Sequence, residues 1–134
     1  MIPRYRAWKK AGKELGRVGQ ITFELDGSVS HVLFKGKFLD FNVPINEIEL
    51  MQSTGLFDRN GKEIFEGDIL DYRGRKALVR WHGSYASFIY RFVDELQNRN
   101  TEWKPLYLAY MKCEIIGNIY ENPELLEDIK CTQK

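Results

Sequence analysis

Residues 51–70 read MQSTGLFDRNGKEIFEGDIL and carry the densest local pattern in the chain. Residues 48–53 alternate in character, which is the period of a strand with one buried face. Asn60 and Gly61 both tolerate left-handed backbone conformations, so we expect the chain to reverse there. A second tight feature, Glu66-Gly67-Asp68, leads into an apolar run that predicts another strand. The stretch therefore predicts strands joined by closely spaced turns.

The same stretch contains few side chains that could act in catalysis. It holds no Cys, His or Lys beside a partner that would activate it. Its carboxylates at Glu63, Glu66 and Asp68 are of the type that serves acid–base catalysis or binds a divalent cation. Because Asp68 follows a turn glycine, we expect it instead to accept hydrogen bonds from turn amides.

Three segments together resemble the YopX family of small phage and prophage proteins. Members share a run of the form MQ-x-TGL-x-D-x-NGKEI-x-EGD, which residues 51–68 match, and residues 2–8 (IPRYRAW) and 115–126 (IIGNIYENPELL) are similar to the family's two ends. The chain departs from the pattern at Lys9, where an acidic residue is common, and at Ser53, where Tyr is common. The resemblance implies the family's fold, a phage origin and multi-chain assembly. It implies no activity and carries no catalytic residues over.

Length and composition are those of one soluble domain, residues 1–134, without repeats or a linker. A chain of 134 residues with 43% apolar side chains buries roughly two-thirds of its unfolded surface. No apolar run approaches the roughly 20 residues of a membrane span, and the N-terminus lacks a signal-peptide core. We therefore expect a cytoplasmic protein of the bacterial host cell, without membrane association. Cys113 and Cys131 show no framework spacing, so free thiols are favoured over a disulfide.

The strand and turn signals predict a mainly β fold of antiparallel strands. Asp26-Gly27 is a hairpin turn between alternating runs, and residues 67–92 predict a three-strand meander whose order is similar to that of SH3-like small barrels. Residues 103–110 and 113–120 predict two late strands. Asn122 as N-cap and Pro123 at the first position predict a short C-terminal helix.

Candidate metal ligands and nucleophiles are scattered. His31, His82 and the two cysteines show no metal-ligand spacing, and Ser84 beside His82 is typical of an ordinary turn. We therefore predict no catalytic, metal or cofactor-binding residues, and no enzyme.

One surface has the composition of a nucleic-acid interface. Basic residues alternate with aromatic ones on the predicted meander, and phosphate-neutralising groups beside stacking rings are what single-strand binding requires. In the alternative interpretation, which we favour, the rings alternate into the core and the basic groups face water. The candidate residues are Arg73, Arg75, Lys76, Arg80, Trp81, Tyr85, Tyr90 and Arg91.

The two ends of the chain have opposite charge: six basic residues lie within residues 4–17 and four acidic ones within residues 121–128. The ends either meet within one subunit or join neighbouring subunits in a homo-oligomer. Exposed ion pairs contribute little, so apolar residues must supply most of the affinity. The candidate contacts are Tyr5, Trp8, Leu125, Leu126 and Ile129.

The sequence thus predicts a phage or prophage accessory protein that is not an enzyme. It would act through contacts with itself and with phage or host proteins, and a nucleic-acid-binding module is the alternative.

Overall fold

A computed structural model describes residues 4–97 and 102–127 of the chain. The chain forms two compact units, one up to Ser53 and one from Thr54 onward. Its regular structure consists of antiparallel strands in two sheets, joined by turns and short 3-10 segments. The predicted mainly β class is confirmed.

The first unit contains four strands and most of a fifth. They are β1 (Tyr5–Lys9), β2 (Glu14–Phe23), β3 (Val29–Lys35), β4 (Asp40–Pro44) and β5 (Ile48–Phe57), which continues into the second unit. Strand β1 pairs with both β2 and β5, and a 3-10 turn, Ile45–Glu47, joins β4 to β5. The core of this unit consists of Ala7, Val32, Phe34, Val43 and Ile48.

The β2–β3 hairpin turns where the sequence predicts it. Gly27 has a φ of +90°, a conformation that glycine adopts without steric cost. The Asp26 Oδ1 atom accepts hydrogen bonds from both the N–H and the hydroxyl of Ser28. This side chain therefore fixes the turn, as its residue type suggests.

The second unit begins within β5 and contains six further strands. They are β6 (Glu63–Phe65), β7 (Asp68–Tyr72), β8 (Arg75–His82), β9 (Ser87–Phe92), β10 (Lys104–Pro105) and β11 (Cys113–Asn118). The predicted meander is confirmed as β7, β8 and β9. Its core includes Ile64, Leu70, Val79, Tyr90 and Leu106.

The two units share one connectivity. The first sheet runs β4-β3-β2-β1-β5-β6 and the second runs β10-β9-β8-β7-β11. In the first sheet β1 lies between β2 and β5, and in the second sheet β7 lies between β8 and β11; 3-10 turns precede both β5 and β11. The order β4-β3-β2-β1-β5 thus corresponds strand for strand to β10-β9-β8-β7-β11.

Three predicted features differ in the structure. Neither sheet closes on itself within the described residues, so the SH3-like barrel is not confirmed. The described part of the predicted C-terminal helix is a 3-10 turn, Pro123–Leu126, and Asn122 makes no side-chain cap because its Oδ1 accepts from the Asn118 N–H. The strand predicted at residues 103–110 is reduced to β10, followed by 3-10 turns.

The two described ranges include no helix with the length and hydropathy of a membrane span.

Candidate interaction surfaces

The central stretch is held by the carboxylate of Asp58. Its Oδ1 atom accepts hydrogen bonds from the N–H groups of Asn60 and Lys62, each at 2.9 Å. Its Oδ2 atom accepts from the Ile115 N–H in β11, also at 2.9 Å. Gly61 has a φ of +80°, so the predicted reversal at Asn60-Gly61 is confirmed. Asp58 therefore joins this turn to a strand far along the chain.

The electrostatics of Asp58 match this role. Burial by itself raises its pKa, but the hydrogen bonds from Ile115, Lys62 and Asn60 favour the ionised form, and the pKa lies below the ordinary value. The neighbouring Arg59 N–H donates to the Cys113 carbonyl at 2.9 Å. The turn is thus held to β11 by backbone and side-chain bonds together.

The second tight feature, Gly67-Asp68, is also structural. Asp68 is fully buried, and its Oδ2 atom accepts from the Phe65 N–H at 2.8 Å. Gly67 has a φ of +89°; its N–H donates to the Val79 carbonyl and its own carbonyl accepts from the Ile119 N–H. The predicted role of Asp68 as an acceptor for turn amides is confirmed. Within the described ranges, no three His, Cys, Asp or Glu side chains are grouped as metal ligands.

The candidate nucleic-acid residues divide between the two faces of the second sheet. In the β8–β9 register, Val79 pairs with Tyr90 and Leu78 with Arg91. Because side chains alternate along a strand, Arg75, Trp81 and Tyr90 share the face of Val79, and Lys76, Arg80 and Arg91 share the face of Leu78. The eight residues therefore do not form one surface.

Several of these groups are already engaged. Tyr90 is only 6% exposed and packs edge-on against Tyr72 and Phe92, with centroid separations of 5.9 and 5.6 Å. Burial raises the pKa of its hydroxyl. Arg75 donates from Nη2 and Nε to the Asp94 carboxylate at 2.7 and 3.3 Å, a hydrogen-bonded contact that raises its pKa. Tyr90 and Arg75 therefore stabilise the fold, through core packing and through an ion pair respectively.

Other candidates remain on the surface. Trp81 is 43% exposed and packs edge-on against Phe88, with centroids 5.0 Å apart. Arg80 is exposed and makes no ion pair with any residue that the structure describes. Arg73 lies in the β7–β8 turn with its guanidinium 5.7 Å from the Tyr72 ring centroid. Arg80 is thus the clearest uncommitted cation of the set.

Three rings meet beyond the end of β8. His82, Tyr85 and Trp103 form a triangle with centroid separations of 4.7 Å (His82–Trp103), 4.9 Å (His82–Tyr85) and 5.0 Å (Tyr85–Trp103). Tyr85 is 65% exposed. The His82 Nδ1 atom is buried and has no hydrogen-bond partner among the described residues. The sequence does not indicate the role of Trp103, because a single Trp far along the chain gives no local sign of this contact.

Three large apolar side chains are exposed within one short segment of the second unit. Tyr107, Leu108 and Met111 are 60–69% exposed, whereas Leu106, just before them, and Ala109, between Leu108 and Met111, are buried. Two 3-10 turns, Leu106–Leu108 and Tyr110–Lys112, produce this arrangement. We call Tyr107, Leu108 and Met111 the 107–111 surface. The sequence does not indicate this surface, because its alternating apolar residues predict a strand in this segment.

A second group of exposed apolar side chains lies on the first unit. Phe38, Leu39 and Phe41 occupy the β3–β4 turn and the start of β4, and Phe38 is 87% exposed. The Lys9 ammonium lies 4.8 Å from the Phe41 ring centroid. This group lies at the beginning of β4, the edge strand of the first sheet.

The contacts predicted at the chain ends are only partly exposed. Tyr5 and Trp8 are half-buried on β1, between β2 and β5. Leu125 and Leu126 are half-buried in the terminal 3-10 turn. Ile129 lies outside the described residues. Their role in assembly stays a prediction.

Comparisons with known proteins confirm the family resemblance that the sequence motifs indicate. A family model described as "YopX protein" matches residues 4–127. No curated protein matches the chain. Among solved structures, the chain is similar to protein EF1440 from Enterococcus faecalis, with 28% identity and a TM-score of 0.62 over 95% of this chain and 99% of that one.

Proposed function

The chain belongs to the YopX family, and from this membership we propose that it is a phage or prophage accessory protein that acts through protein contacts as a homo-oligomer. Its setting would be the cytoplasm of the bacterial host, and its partners would be copies of itself together with phage or host proteins. It would perform no catalysis.

The 107–111 surface is the observation that carries this proposal. Large apolar side chains that are grouped and exposed mark interaction sites on soluble proteins. Tyr and Met are among the residues enriched in protein interfaces. Burial of Leu106 and Ala109 fixes the two turns, so Tyr107, Leu108 and Met111 are presented without a large ordering cost.

The engagement of the motif residues supports a non-catalytic role. Asp58 and Asp68 both accept hydrogen bonds from backbone N–H groups, and Gly67 both donates and accepts backbone bonds. The groups that give the chain its family resemblance are therefore used to hold turns and strands together.

Light scattering after size exclusion, run over a range of concentrations, tests the proposal. We expect the wild-type chain to form an oligomer and the double variant Leu108→Lys, Met111→Lys to have a smaller mass, because lysine charges on this surface oppose its burial. Leu25→Lys is the matched control, since Leu25 is fully exposed on the β2–β3 turn. A wild-type chain that is monomeric at every concentration contradicts the proposal, as does a double variant with the wild-type mass.

A nucleic-acid-binding module is the second candidate. The observation that favours it is the exposed Tyr85 in the three-ring cluster, together with Arg80, which is exposed on β8 two residues before His82 and has no ion pair with the residues that the structure describes. A ring available for stacking and a cation available for a phosphate are the two elements of single-strand binding.

Fluorescence anisotropy with a labelled single-stranded oligonucleotide tests this candidate. At about 50 mM salt we expect micromolar binding that weakens steeply as salt rises. Tyr85→Ala and Arg80→Ala should each weaken binding about tenfold, whereas the control Tyr107→Ala, which removes an exposed ring elsewhere, should not. The absence of binding at low salt excludes the candidate.

A further inference from the structure

Strand β4 forms an edge of the first sheet. Its inner side pairs with β3, with Phe41 opposite Phe34 and Val43 opposite Val32. No strand within residues 4–97 and 102–127 pairs with its outer side. Such an edge presents unpaired backbone groups and is a template for another strand.

The turn before β4 fixes which backbone groups point outward. The Gly36 N–H donates to the Leu39 carbonyl, so these residues form a hydrogen-bonded pair. Hydrogen-bonded and non-hydrogen-bonded pairs alternate along an antiparallel ladder. Phe41 and Val43 therefore direct their backbone groups toward β3, and Asp40, Asn42 and Pro44 direct theirs away from it.

The sequence of β4 fits this arrangement. Pro44 has no N–H, and it occupies a position where the missing donor costs no bond to β3. Phe41 and Val43 share one face, on which Val43 is buried in the core and Phe41 is partly exposed. The face available for extension is thus apolar, and the backbone edge beside it carries the N–H groups of Asp40 and Asn42.

We infer that two copies of this chain pair through their β4 strands, antiparallel, about a two-fold axis at Asn42. In this register the Asn42 N–H of each copy donates to the Asn42 carbonyl of the other. The Asp40 N–H of each copy donates to the Pro44 carbonyl of the other. That carbonyl is also the N-cap acceptor of the Ile45–Glu47 turn, so it takes this bond on its second lone pair, and no donor from proline is needed. Phe41 of one copy then lies opposite Val43 of the second copy, and this contact covers the exposed ring of Phe41.

The charges of the edge favour a second copy as the occupant. The Asp40 carboxylate accepts from Lys35 of its own β3 at 3.2 Å, so pairing two copies brings together no uncompensated like charges. Phe38 and Leu39, exposed on the adjoining turn, supply further apolar area. The inference rests on the proposed function, in that it names one interface of the homo-oligomer.

Asn42→Pro tests the pairing directly. The substitution removes an outward N–H and leaves the bonds to β3 in place, whereas the control Asn42→Ala removes the side chain and keeps the N–H. By sedimentation of the full chain we expect the dimer dissociation constant to rise about tenfold or more for Asn42→Pro and to stay within about threefold for Asn42→Ala. Circular dichroism of both variants checks that they fold.

A cross-link gives a second measurement that does not depend on the proline variant folding. In a Cys131→Ser background, Asn42→Cys places two thiols across the axis, with Cα atoms about 5.5 Å apart, within disulfide range. We expect rapid dimeric disulfide formation, and none for Gln20→Cys, which is exposed on β2.

The outcomes separate the two claims. An oligomeric chain whose mass is unchanged by Asn42→Pro, and which does not cross-link at Asn42→Cys, overturns the β4 pairing and leaves the proposed function standing. A chain that is monomeric at every concentration overturns both.

Discussion

The Asp58 carboxylate accepts a hydrogen bond from the Ile115 N–H at 2.9 Å, across 57 residues of chain. The bond joins residues 51–68 to residues 115–126, two of the segments that resemble the YopX family. The Arg59–Glu114 ion pair and the bond from the Arg59 N–H to the Cys113 carbonyl lie beside it. The family pattern in this region is therefore one structural junction.

We expect Asp58→Asn to lower the free energy of unfolding by about 2–4 kcal/mol at pH 7, because the variant loses charge-assisted bonds to three N–H groups and turns an amide donor toward one of them. Urea denaturation measures the change. Asp26→Asn is the matched control, since Asp26 accepts only from Ser28 in an exposed turn, and it should change stability little. Equal effects of the two variants would contradict the role given to Asp58.

The same carboxylate predicts a pH dependence. Because the pKa of Asp58 is lowered in the fold, its contribution to stability is fully present above its unfolded pKa, about 3.9, and is lost as pH falls through the folded value. The stability difference between wild type and Asp58→Asn should thus be constant from pH 7 to about pH 5 and shrink below about pH 4. Denaturation curves at successive pH values test this, and a difference that does not vary with pH contradicts it.

Gly61→Val should lower the free energy of unfolding by about 1–3 kcal/mol without changing the oligomeric state. An added Cβ meets no atom of the described residues within 4 Å, so we assign the cost to the φ of +80°. Gly61→Asn should cost less, because Asn tolerates the left-handed region. Thermal melts measure both variants, and an unchanged melting temperature for the valine variant contradicts the argument.

Gly117→Ala should be destabilising for a different reason. A Cβ there would lie 2.5 Å from the Asn122 Oδ1 atom and 2.8 Å from the Leu125 Cδ1 atom, so both side chains must shift, and the Asn122 Oδ1 atom would leave its place as acceptor for the Asn118 N–H. We expect a loss of about 1–3 kcal/mol in denaturant unfolding. Gly83→Ala is the control, because its nearest neighbour would be 3.9 Å away. Similar losses in both variants would show that close packing at Gly117 is not the cause.

Cys113 should be unreactive in the folded chain. Burial raises the pKa of its thiol to about 11, and its Sγ atom contacts the Ala109 carbonyl at 3.3 Å. In a Cys131→Ser variant, a thiol reagent at pH 8 should label Cys113 only as fast as the protein opens, and rapidly in concentrated urea. Equally fast labelling with and without urea contradicts the predicted protection.

The sequence predicts the local turns and the strand at residues 113–120 well, but it predicts the segment 103–112 poorly. Turns at Gly27 and Gly61 follow from residues that accept positive φ, and both are confirmed. In residues 103–110, alternating apolar residues suggest a strand. The structure instead buries Leu106 and Ala109, which are three residues apart, as the period of a 3-10 turn requires. Both periods fit so short a run, and long-range packing decides between them.

Long-range packing also decides which residues form the candidate surfaces. Composition alone groups the basic and aromatic residues of β8 and β9, but alternation places them on opposite faces of the sheet. The ion pair of Arg75 with Asp94 and the contact of His82 with Trp103 depend on separate segments meeting. Only the folded chain shows which cations and rings stay on the surface.

The shared connectivity of the two units has a consequence for synthesis on the ribosome. Each unit is complete only when its opening strand meets its closing one, β1 with β5 and β7 with β11, and such distant pairings form slowly. The first unit has all its strands once residue 57 has emerged. The meander of the second unit must then wait for residues 113–118, with Leu70, Val79 and Tyr90 lacking part of their cover. The nascent chain is therefore most vulnerable to aggregation in that interval.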